Sequence, residues 1–170
     1  MNNRTKRVAF LGLAVSLALI LSYVESLLPP LWAAVPGIKM GLANVVLVFL
    51  LYRFSWREAA VVSLVRILLA SMLFGTPMTM IYSLAGALVS LTLMALLHRT
   101  DRFSTVGVSV AGGVAHNLGQ ILTAMLILQT EQIGYYMLVL TVTGTVAGVC
   151  VGIAGALLLR YSSRLDKFLK

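Results

Sequence analysis

The run Gly112-Gly113-Val114-Ala115-His116-Asn117-Leu118-Gly119-Gln120 sets one imidazole and two carboxamides inside an otherwise apolar stretch. His116 and Gln120 are four apart and Asn117 and Gln120 three apart, so a helix would gather all three on one sector. These groups offer donors and acceptors together, and in a membrane such a sector faces other protein or a polar cavity. Arg66 is a second such group, a cation halfway along an apolar segment, where burial without a partner costs at least ~2.5–3.5 kcal/mol on insertion scales. It needs a carboxylate, carbonyl dipoles or an anionic ligand. An ion pair with Glu25 that only ties two helices together would meet that need, and so would a bound anion. A third group lies in Pro36-Gly37-Ile38-Lys39-Met40-Gly41-Leu42-Ala43-Asn44. There a Pro-Gly turn enters a helix whose N-terminus, with Lys39 and Asn44, can face an anion.

Other chemistry is excluded by what is missing. One deep histidine with no cysteine or carboxylate at ligand spacing is too few donors for a metal. No acid is placed to orient His116 for nucleophilic catalysis. Cys150 is the one cysteine, so no intramolecular disulfide or CxxC pair can form. A GxxxxGK[ST] phosphate loop is also absent from the sequence. No cofactor is expected, and the chain is not expected to be an enzyme.

The elements that must position these groups follow from composition. Of 170 residues, 60% are hydrophobic and 11% charged, against about 25% charged in soluble domains; mean hydropathy is +0.99. Such a chain cannot cover itself with polar surface and must face lipid. Charges and turn residues divide it into six membrane helices of one domain, residues 1–170, at about 8–28, 40–52, 58–74, 78–97, 105–128 and 135–159. The second is too short for a bilayer that asks for about 20 residues, so it must thin the membrane, tilt little, or begin as irregular backbone inside the protein. With six crossings, 11 of the 13 basic residues share one side, Lys39 and Arg66 being the exceptions. The positive-inside rule makes that side cytoplasmic and puts both termini there. The net charge of +8 thus reports topology and anionic headgroups rather than nucleic acid. The run after Arg7 is longer than the apolar core of a cleavable signal peptide and is read as the first helix.

On this topology Glu25, Lys39, Asn44, Arg66, His116, Asn117 and Gln120 outline an outward-facing pocket of positive character. Trp32, Phe74 and Tyr82 would add flat apolar walls, and a small anionic or polar-aromatic solute is the expected ligand. Close approach of helices in lipid depends on small side chains. Gly144, Gly148, Gly152 and Ala156, each four apart, predict a packing face on the sixth helix. Ala14 and Ala18 mark a similar face on the first, either packed internally or presented to a partner.

The segments PGIKMGLANVVLVFLLYRFSWREA, SLVRILLASMLFGTPMTMIYSLAGALVSL and GGVAHNLGQILTAMLIL resemble the Gx transporter family, also described as heptaprenyl diphosphate synthase component I. The likeness runs from about Val8 to Leu159. Members are similar in size and topology to S components of energy-coupling-factor (ECF) transporters, all-α six-helix proteins that bind a micronutrient from outside. The resemblance implies a transmembrane coupling subunit and two cytoplasmic ATPases as partners in a bacterial cytoplasmic membrane. It also implies that Ala14 and Ala18, matching an AxxxA pattern, dock the coupling subunit.

The two family descriptions point to different chemistry. Prenyl diphosphate synthases hold magnesium on aspartate-rich segments, and this chain has only Asp101 and Asp166, 65 residues apart. It cannot assemble such a site alone. A binding component is therefore the favoured reading. The alternative is a membrane accessory subunit for polyprenyl diphosphate or quinone synthesis, working through Arg53, Arg57, Arg99 and Arg102.

Overall fold

The computed structural model describes residues 3–27 and 41–168, with side chains described for 4–27 and 41–163. Lys39 and Trp32 lie outside that range. Within it the chain is helical, with no strand among the described residues: α1 (Asn3–Leu27), α2 (Asn44–Arg53), α3 (Trp56–Phe74), α4 (Pro77–Arg99), α5 (Thr105–Leu128), a 3-10 turn (Glu131–Tyr136) and α6 (Met137–Phe168). Four helical spans, 4–27, 77–99, 105–128 and 131–163, are long and apolar enough to cross a bilayer. The fold is that of an all-α membrane protein. α3, at 19 residues, is also about as long as a bilayer core is thick, but carries Arg57, Glu58 and Arg66.

Local chemistry sets the ends. Thr76 and Thr79 exchange side-chain-to-backbone hydrogen bonds of 3.2 and 2.8 Å ahead of α4, with Pro77 as its first residue. The Ser104 hydroxyl accepts from the Gly107 N–H at 3.1 Å and starts α5. Gln129 ends α5 in a left-handed conformation. α2 starts at Asn44 rather than Met40, because Gly41 takes a φ of +85° that glycine adopts without penalty. Short-range bonds from the N–H groups of Asn44, Val45 and Val46 to the carbonyls of Gly41, Leu42 and Ala43 then satisfy the helix start. At 10 residues, α2 is about 15 Å long, half a bilayer core.

α5 is the hub, packed between α4 and α6, while α1 packs on α3 and α2 lies between α3 and α6. The α5–α6 seam is backbone on backbone. A Cβ on Gly148 would stand 2.6 Å from Val110 Cα, on Gly152 2.7 Å from Val106 Cα, and on Gly113 2.5 Å from the Gly144 carbonyl. The glycine face expected on the sixth helix is therefore a packing face. Ala14 and Ala18 turn inward as well, 6% and 0% exposed in the core with Val46, Leu50 and Val62. Within this chain the stripe Ala14–Ala18–Ser22–Glu25 is the buried face of α1, the internal packing that is one of the two readings of these alanines.

The helix ends rich in arginine meet at one end of the bundle. There Arg7 of α1 pairs with Glu58 of α3, which also accepts from the Ser55 hydroxyl at 2.9 Å. The Tyr52 and His98 rings, from the ends of α2 and α4, lie 4.2 Å apart. Arg7 stands mostly in solvent, so Glu58→Gln is expected to lower Tm only slightly at low ionic strength. Melting curves in molar salt should show no difference from the parent.

Candidate functional site

Helices α1 to α5 each bury polar side chains where their apolar sequence is interrupted. From α3, Arg66 is 5% exposed and donates through Nη1 to the Ser22 hydroxyl of α1 at 3.2 Å. Its Nε and Nη2 have no hydrogen-bond partner. Those two N–H groups form one edge of the guanidinium, the edge that a carboxylate or phosphate takes with two parallel bonds. Glu25, one turn beyond Ser22, is also buried, and its Oε1 accepts from the Gly41 N–H at 2.5 Å. Its charge acts on Arg66 through space. Arg7–Glu58 is the ion pair found within 4.0 Å among the described residues, so Arg66 and Glu25 do not form a direct bridge.

From α5, His116, Asn117 and Gln120 are buried at 4%, 3% and 0% exposure. The Asn117 amide donates to the Leu140 carbonyl of α6 at 2.7 Å, which spends one polar group on holding helices together. Its Oδ1, the His116 Nδ1, and both polar atoms of Gln120 have no partner. Gly86 of α4 makes the room: a Cβ there would lie 2.8 Å from Gln120 Cγ and 3.0 Å from His116 Cε1.

Asn44 opens α2 in the same core at 6% exposure. Beside it Gly41, Asn44, Met94, Ser109, Gly113 and Gly148 line a void with room for about one water molecule. Tyr82 is buried, but in a separate apolar cluster with Ile121, Ala124, Ile133 and Leu140. Phe74 packs edge-on against the exposed Tyr23 ring at 5.4 Å. Of the expected set, then, Glu25, Asn44, Arg66, His116, Asn117 and Gln120 all lie in the buried core, and Lys39 lies outside the described residues.

Sequence reasoning missed the serines. Ser22 holds Arg66, and the hydroxyls of Ser63, Ser90 and Ser109 are buried without partners. A usable signal exists for Ser22, which continues the four-residue spacing of Ala14 and Ala18. The others sit in apolar segments where serine hydroxyls ordinarily bond back to their own helix, so residue type alone does not mark them.

These features define a class: an all-α membrane protein whose core holds a cation, an acid and incompletely bonded amides contributed by separate helices. Residues 14–158 match the family described as heptaprenyl diphosphate synthase component I, and the chain belongs to that family. No curated protein and no solved structure matches it.

Proposed function

We propose that the chain is the solute-binding membrane component of an ECF-type importer. Its ligand is a small solute with a carboxylate or phosphate for Arg66 and a donor–acceptor edge for Gln120 and His116. The observation that carries this reading is the free Nε/Nη2 edge of Arg66 in a core where further amide atoms also lack partners. A buried polar group left unbonded costs about 1–3 kcal/mol, so several together in one core favour a site that a ligand completes. The basic end is cytoplasmic on the positive-inside rule, and the solute enters from the opposite end. Without a phosphate loop of its own, the chain draws on ATPases through a coupling subunit. Docking of that subunit would use the outward face of α1, where Gly12 has open space and Leu13, Ser16 and Leu17 are exposed.

Native mass spectrometry of gently extracted protein tests this. A retained small anion together with attached ATPase subunits is the expected result. A prenyltransferase in their place would replace this reading with the second one, an accessory subunit of polyprenyl diphosphate synthesis. The family description favours that second reading, as does the cluster of Arg53, Arg57, Arg99 and Arg102 at one end.

A further inference from the structure

A groove runs between α3 and α4 on the outside of the bundle, and it meets the buried polar core only at Ser63. Two adjoining hollows of about 260 and 230 Å³ share Ala60, Leu88 and Leu91 along its floor and rim. Ala60 and Ala87 give it a floor of small side chains, and Leu88 is 71% exposed at its edge. Arg99 and Trp56 form the mouth at the basic end, and the Arg57 guanidinium lies over the Trp56 ring, 5.7 Å from its centre. Two turns deeper, Ser63 lines the groove at 3% exposure with a hydroxyl that has no partner. Thr92 lines it from α4. Each hydroxyl is seven residues from its end of the mouth, about 10 Å along the helix.

We propose that this groove is a binding site for one diacyl anionic phospholipid. Its phosphate lies between Arg99 and Arg57, its ester carbonyls lie at the level of Ser63 and Thr92, and an acyl chain lies over Ala60, Leu88 and Leu91. Each part of the groove matches a part of that molecule. Basic residues between membrane helices attract anionic headgroups, and tryptophan belongs at the headgroup boundary. A buried hydroxyl below that boundary needs an acceptor, which an ester carbonyl supplies. A packed partner helix would bring no anion for the arginine mouth, and an isoprenoid phosphate has no ester carbonyl for Ser63.

The test uses the full chain in nanodiscs of equal phosphatidylglycerol and phosphatidylcholine, released for native mass spectrometry. Phosphatidylglycerol should be retained in excess. Arg99→Gln should cut that excess about fivefold, the equivalent of ~1 kcal/mol for one basic residue at the surface. Ser63→Ala should reduce retention of ester-linked but not ether-linked phosphatidylglycerol. Leu88→Trp, on the exposed rim where folding is not at stake, should reduce retention of both. Equal retention of the two headgroups by the parent protein would overturn the proposal. So would an unchanged excess in Arg99→Gln, preference for an added prenyl phosphate, or a dimer that closes the groove.

Discussion

Exchange of Arg66 for glutamine is expected to weaken retention of an anionic solute by tenfold to more than a hundredfold. A hydrogen bond to a charged group contributes about 1.5–3 kcal/mol, and each 1.4 kcal/mol is a factor of ten in affinity. Arg66→Lys should fall between the two, since it keeps the charge but loses the paired Nε and Nη2 donors that take an oxyanion along one edge. The measurement is titration of the purified variants with whichever anion the parent protein carries through extraction. A purely structural Arg66 predicts a different pattern. Removing it would then lower Tm through the lost bond to the Ser22 hydroxyl, and anion retention would fall only as far as the fold does. A glutamine variant that binds the anion as tightly as the parent would remove the pocket from the account.

Gly148→Leu is expected to damage the fold severely. The added Cβ would stand 2.6 Å from Val110 Cα and 3.0 Å from the Ser109 carbonyl, and both are backbone atoms of α5 that cannot rotate away. Overpacking of a tight site typically costs ~1–3 kcal/mol and occasionally more; here a whole leucine is forced between two helix backbones, so the upper end or beyond applies. Thermal melts in detergent should show a broad, early transition. Gly12→Leu provides the contrast, because nothing lies within 4 Å of a Cβ there. It should leave Tm unchanged while weakening attachment of a coupling subunit to α1.

The helices were legible because the chain has few places to stop. Charged turns and Gly-Thr-Pro or Ser caps bracket long apolar runs, and the predicted ends of α3, α4 and α5 lie within two residues of those observed. Burial of the polar cluster was legible for a related reason: Arg66 and the His116–Gln120 sector have no good alternative in lipid. Ala14 and Ala18 were not legible to the same degree. α1 exposes large apolar residues such as Leu13, Leu17 and Ile20 to lipid, so hydrophobicity does not distinguish its inner from its outer face. Small residues mark a contact without saying with whom. The separation of Arg66 from Glu25 was hidden for another reason. It follows from the Ser22 hydroxyl bonding the guanidinium and the Gly41 N–H bonding the carboxylate. Neither hydroxyl nor main-chain donor stands out by residue type.

The half-length of α2 bears on how the molecule is made. A segment of about 15 Å cannot rest stably in lipid by itself, and one of its flanks is covered by α6, where Val48 meets Gly155. The ribosome delivers that cover last. Until the carboxyl-terminal helix has entered the bilayer, the nascent protein holds an uncovered wedge beside α3, and any chain cut short before Met137 stays in that state. Premature termination should therefore yield material that membrane proteases clear, rather than a smaller working protein.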